Sequence, residues 1–371
     1  MVFTGPYPTT FSGHTDSMKI SATTFTGGVT NAGTISAGGV TITSSTFLSG
    51  GFVNTNLISG ATNAIAVLDH STINGSIVDS GRIVATNFGA NGVLVSGGIV
   101  SGGIQVASHG AISAFSGIRA FGATVLGGII NSGVIAVGRT GVNIAGVTTL
   151  SGGIVNRGTI TAGQSELAMG IAVTGVSVFG DSSAGGGITN TGTISATLHP
   201  IFLQSVATFT DAIVNSGKLV GETGIHYGFF TVFGGSASGG ITNTGTITAS
   251  DRGILLANGD TFTGVVANRS VIAAHGTGID ISRVLTLSGG VSNSGKITAV
   301  SGVGIQISRS GSGTVLGSTS AGGSVVNSGT ISAARGIVVQ AATIAGAIIN
   351  GNAIVAKLAT VTSPSTINLP A

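Results

Sequence analysis

Apolar side chains along this chain fall on alternate positions in short runs, and glycine, asparagine and serine separate each run from the next. Gly141-Val-Asn-Ile144, Gly170-Ile-Ala-Val173 and Gly304-Ile-Gln-Ile307 are representative. Alternation with period two in β-branched residues predicts strands, and the Gly/Asn punctuation predicts turns. No window combines a 3.6-residue apolar period with good helix formers, so no helix is expected.

The strands recur as a set. One phrase reads Gly-[Ile/Val]-x-Asn-x-Gly-x-Ile-x-Ala and is cleanest at Gly187–Ala196 and Gly240–Ala249. Its Asn lies at Asn31, Asn54, Asn131, Asn156, Asn190, Asn215, Asn243, Asn268, Asn293, Asn327 and Asn350, with Asp79 and Ser108 read as its counterparts in two further copies. Successive copies are 23 to 34 residues apart. A second phrase, Gly-[Ile/Val]-x-[Ile/Val/Leu], follows, then a third, Thr-[Phe/Leu]-[Thr/Ser]-Gly. Three strands in every ~25 residues, with no helical spacer, make one coil of a parallel β-solenoid. A lone coil cannot bury its Ile/Val row, whereas coils stacked at ~4.8 Å bury a continuous column. The predicted fold is an all-β, right-handed, three-sheet parallel β-helix of about thirteen coils in one domain, residues 1–371. Residues 1–24 are expected as an N-terminal cap or edge segment, 25–355 as the repeats and 356–371 as a tail.

In equal register the phrase Asn stacks amide on amide, donating and accepting along the axis, so the eleven Asn are assigned to a structural ladder. The glycine two residues on is expected to supply a positive φ. In the second phrase the middle residue points outward if its Ile/Val neighbours point inward. That column reads Thr41, Ala66, Leu94, Arg119, Asn143, Ala172, Phe202, His226, Leu255, Asp280, Gln306, Val338. Its larger members, Leu94, Phe202, His226, Leu255 and Val338, form the candidate contact surface. Three coils share an insertion after Phe179, Phe233 and Leu316, rich in Gly, Ser and Ala.

Composition narrows the chemistry. Glycine supplies 66 of 371 residues and charged residues only 6%. Glycine lacks a three-residue period, which excludes collagen, and the scarcity of Glu, Lys and Arg excludes a coiled coil. No run of 18 apolar residues exists, so no transmembrane helix is predicted. Thirteen Lys and Arg scattered over the chain cannot build the basic stripe that nucleic acid requires. There is no cysteine, hence no disulfide scaffold and no thiolate chemistry. Only ten carboxylates are present. Glycosidic chemistry needs two of them close together, and Asp251 and Asp280, at offsets of 8 and 12 from their Asn, are not expected to meet. Glu222 and His226 are the one candidate acid–base pair. No catalytic residue, cofactor or metal site is assigned.

The Gly-Ile-x-Asn-x-Gly-x-Ile-x-Ala repeats, in a Gly/Ser/Thr-rich and cysteine-free chain, resemble the passenger regions of bacterial autotransporters and related large surface adhesins. The resemblance covers roughly residues 25–355. It implies an extracellular or bacterial cell-surface rod, held at the outer membrane by a barrel that this segment does not contain. It further implies a non-enzymatic role in attachment, with a host, substratum or cell-surface ligand as partner. Lateral or end-to-end self-association is a further expectation for so uncharged a rod. The alternatives are a β-helix polysaccharide-degrading enzyme and a self-assembling extracellular filament.

Overall fold

The computed structural model describes residues 2–3, 9–147, 149–180, 186–234, 239–308, 315–316, 324–340, 343–344 and 346–358. The shared insertions after Phe179, Phe233 and Leu316 and most of the predicted tail lie outside these. Every strand pairing is parallel, among the described residues no helix is present, and three sheets carry the coils. The chain divides into two compact units, 1–186 with 192–197, and 187–191 with 198–371. Each is a stack of β-solenoid coils.

In the first unit the strand after the phrase Asn runs on, in several coils, through a bend into the second phrase, as in Thr34–Thr43, Ala111–Phe121 and Val134–Ala145. A separate short sheet holds the third phrase: Thr24–Phe25, Thr46–Phe47, Thr72–Ile73, Ile99–Val100 and Thr124–Val125. In the second unit the third phrase is absorbed into the same long strand, giving Lys218–Phe233 and Thr246–Phe262. The stack also begins before the repeats read from the sequence. Thr9–Phe11 pairs with Val29–Asn31, and His14–Ser21 pairs with residues of Thr34–Thr43.

The apolar alternation becomes a dry core. Ile35, Ile58, Ile83, Ile112, Ile135 and Ile160 stand in register in successive coils of the first unit and are buried. Leu219, Ile247, Ile272, Ile297 and Ile331 do the same in the second. Each such side chain contributes roughly 1.5–3 kcal/mol of transfer free energy. Aromatic rings add a second column. Phe25 stacks on Phe47 with centroids 5.0 Å apart, and Phe209 on Phe233 likewise at 5.0 Å.

The amide ladder is present. Asn31 Nδ2 donates to Asn54 Oδ1 at 2.8 Å, Asn54 to Asp79 at 2.7 Å and Asn131 to Asn156 at 2.8 Å. In the second unit Asn190, Asn215, Asn243, Asn268, Asn293, Asn327 and Asn350 form an unbroken chain of such bonds at 2.7–2.8 Å. The position read as Ser108 is corrected: the residue in register between Asp79 and Asn131 is Val106. Valine neither donates nor accepts, and its neighbours show the loss. Asp79 Oδ2 and Asn131 Oδ1 are buried without a partner. Burial, partly offset by the bond from Asn54, pushes the Asp79 carboxyl up to about 6. Phe11 occupies the ladder register in the N-terminal coil.

The phrase glycine also has a different physical reason from the one expected. Gly33, Gly158, Gly245 and Gly329 do not have positive φ. A Cβ there would lie 2.0–2.1 Å from the carbonyl oxygen of Gly13, Gly133, Gly217 or Gly295. Glycine is required because neighbouring coils touch backbone to backbone.

Positive φ appears instead at the glycine that opens the first phrase, in Gly103, Gly128, Gly153, Gly240 and Gly290, and at the corner after the second phrase. In the first unit the column is Ala22, Ser44, Asp69, Gly97, Gly122, Gly146 and Gly175; in the second it is Ser205, Phe229, Asn258 and Arg283.

Candidate functional site

The middle residues of the second phrase do align. Thr41, Ala66, Leu94, Arg119, Asn143 and Ala172 are successive register partners in the first unit. Phe202, His226, Leu255, Asp280, Gln306 and Val338 are successive partners in the second. Exposure departs from the expectation. Leu94, Phe202 and His226 are half-buried, while Leu255 and Val338 are buried at 8% and 5%. Leu255 lies in register between His226 and Asp280 of the flanking coils, which leave little of it open to water. In the first unit the Arg119 guanidinium sits 5.7 Å from the Phe121 ring centroid, within cation–π range.

The second unit carries the most varied group of side chains, and it grows from this column. His199, at the start of strand His199–Phe209, stacks on Phe202 with centroids 5.1 Å apart and 12° between ring planes. His226, from the next coil, stands edge-on to both rings. Its Nδ1 is 3.2 Å from His199 Nε2, so one imidazole donates to the other. Burial first, and His226 second, lower the His199 imidazole to about 4; burial, then the Arg252 charge, lower His226 to about 4. Both are therefore neutral at pH 7, one ring donating its N–H and the other accepting. Glu222 is exposed, and the His226 ring bonds to His199 instead, so the Glu222–His226 pair is not assembled.

One further coil along, Arg252 draws together the two carboxylates that sequence offsets kept apart. Its Nη1 donates to Asp251 at 2.7 Å and its Nε to Asp280 Oδ2 at 3.0 Å. The expectation that Asp251 and Asp280 do not meet is corrected. The offsets hold as register, with Asp280 paired to Leu255, but they leave out the reach of the Arg252 side chain, which spans from Asp251 to Asp280 on the next coil. The Asp251 contact is exposed on both sides and is worth little. Asp280 is different. It is 6% exposed, and burial raises its carboxyl while the Arg252 charge and bond pull it down. Its Oδ1 has no partner.

The resulting patch is a stacked His–Phe–His cluster continued by a buried Leu and an Arg-clamped carboxylate pair. Chemically it offers aromatic faces, an imidazole edge and one guanidinium for contact. His199 and Arg252 were missed by sequence reasoning, although His199 and His226 are 27 residues apart, close to one coil. Among the described residues no group of three or more His, Cys, Asp or Glu is placed to hold a metal ion, and no helix is long and apolar enough to cross a membrane. No protein-family model, no curated protein and no solved structure matches the chain.

Proposed function

We propose that this chain is a non-enzymatic rod of a bacterial cell surface, an adhesin-type passenger that presents the half-exposed part of the second-phrase column, Phe202 and His226 above all, as a contact face. The observation that carries the reading is the cluster of His199 with the register partners Phe202 and His226 on a scaffold of hydrogen-bonded coils. Aromatic surface is enriched where proteins meet partners, and the buried His199 backs the half-exposed Phe202 ring. Host, substratum and neighbouring-cell ligands remain the partner classes, and an outer-membrane location is part of the same proposal.

Beads coated with the full chain test it. Retention on epithelial cells, on bacterial cells and on bare glass is counted with the wild type and with Phe202→Glu. We expect retention on at least one of the three surfaces to fall about tenfold in the variant, as for a central aromatic anchor. Equal retention of wild type, variant and an unrelated coating on all three would end the reading.

The Asp251–Arg252–Asp280 grouping favours a second reading, the polysaccharide-degrading enzyme. Both carboxylates are engaged by the guanidinium, which argues for a structural clamp. Release of reducing sugar from acidic and neutral polysaccharides, abolished by Asp280→Asn, would decide for the enzyme.

A further inference from the structure

We infer that the first unit holds a binding subsite for a neutral sugar, at a groove of about 440 Å³ beside the bend between the first and second phrases. It is separate from the contact face above and does not depend on where the protein resides. The groove lies within the volume range of small-ligand sites.

Successive coils build it. Phe88 stands at the tip of a tight turn in which Ala90 N donates to Asn87 O at 3.1 Å and Gly89 takes φ +81°. Its ring is 92% exposed, although water disfavours so much aromatic surface. Phe115 from the next coil meets it, with centroids 4.5 Å apart and planes tilted by 50°. The two rings form an open wedge, not a buried pair. On the far side Gln164 closes the groove, and both Phe115 and Gln164 rest on Gly138. A Cβ on Gly138 would come within 2.9 Å of Gln164 Oε1 and 3.3 Å of Phe115 Cδ2. The absence of a side chain there is what lets an aromatic ring and an amide share one floor.

The lining defines the ligand. It contains no charged residue, so neither an anion nor a cation finds a counter-charge. It combines two aromatic faces with the amides of Asn87 and Gln164 and the hydroxyls of Thr86 and Ser113. Aromatic faces are electron-rich and attract the weakly positive C–H face of a ligand. Amides and hydroxyls both donate and accept. A molecule with one C–H face and a rim of hydroxyls satisfies both halves, and a neutral hexose unit has that form.

Saturation-transfer NMR on the full chain tests this, using neutral trisaccharides of glucose, galactose, mannose and N-acetylglucosamine, with trigalacturonate and trilysine as charged probes. We expect transfer to at least one neutral trisaccharide and none to the charged probes. Phe88→Ala should weaken that binding about tenfold or more with melting unchanged, because the ring is exposed. Gln164→Ala should weaken it less, and Phe121→Ala, at a different site, should leave it intact. The proposal is overturned by no transfer to any neutral trisaccharide at millimolar concentration. Binding unaltered in both Phe88→Ala and Gln164→Ala, or charged probes bound equally well, overturns it too. Failure here leaves bead retention untouched, so the two readings fail independently.

Discussion

Val106 is a residue whose neighbours report what it lacks. Asn131 Oδ1 receives no bond from it, and Asp79 Oδ2 stays buried and unpartnered. A ladder asparagine at this register would donate to Asn131, but an ionised Asp79 behind it has nothing to donate in turn. Only the double substitution completes the column. We expect Asp79→Asn with Val106→Asn to raise stability by about 1–3 kcal/mol at pH 7, read as a shift in the chemical-denaturation midpoint. Val106→Asn alone should gain less. No gain from the double variant would show that the orphaned groups find water. The ladder itself was legible, because Asn recurs at one place in a repeated phrase. Its gap was not, since the turn after Val106 is longer there: Gly110 N donates to Ala107 O at 2.9 Å. Aligning the copy on Gly110 shifts the reading two residues, onto Ser108.

The coil depends on a corner that composition does not announce. Among the described residues, eleven at the equivalent place in their coils adopt the left-handed conformation, and four of these are glycine. The other seven are Ala, Ser, Asp, Ser, Phe, Asn and Arg, which share no side-chain property. The corner is imposed by the strands on either side of it, so sequence punctuation placed turns correctly and left their backbone unreadable. A non-glycine residue in that conformation costs on the order of 1–2 kcal/mol. Phe229 illustrates it, with φ 57° and a 55% exposed ring that little packing holds. Phe229→Gly should therefore stabilise the second unit by about 0.5–1 kcal/mol after the added freedom of the unfolded chain is subtracted. Thermal melting checks it, and a loss of stability would mean that the ring contributes more than its exposure suggests. Strand identity, burial side and coil stacking were all legible, because period-two alternation determines which face is dry. The meeting of Arg252 with Asp251 and Asp280 was not, because it depends on how far a long side chain reaches from one coil to the next.

Across the whole chain, Asp79 of the first unit and the imidazole pair of the second respond to acid in opposite senses, and the raised carboxyl of Asp280 partly offsets the imidazoles. Asp79 has a folded value of about 6 against an ordinary 3.8. The folded state thus binds this proton more tightly, and the group adds stability as pH falls from 6 towards 4, by roughly 3 kcal/mol. His199 and His226 have folded values lowered to about 4 from 6.5. There the unfolded state binds protons more tightly, so stability is lost as pH falls from 6.5 towards 4. Asp79 belongs to the first unit and the imidazole pair to the second. Hydrogen exchange followed by mass spectrometry at pH 7 and pH 4.5, corrected for intrinsic rates, should show protection rising in peptides of the first unit and falling in those of the second. Asp79→Asn should flatten the first trend, and the double variant His199→Gln with His226→Gln the second. Parallel trends in both units would refute the assignment.

The ladder also has a sense of direction. In every link of the second unit, from Asn190 to Asn350, the amide nitrogen of one coil reaches the amide oxygen of the next. Peeling a coil from the high-numbered end strips a donor of its acceptor, while peeling from the other end strips an acceptor that keeps a second lone pair available. Bare donors are the rarer and costlier loss in proteins. Unzipping should accordingly be easier from one terminus than from the other, a mechanical asymmetry in a fold whose coils are otherwise nearly identical.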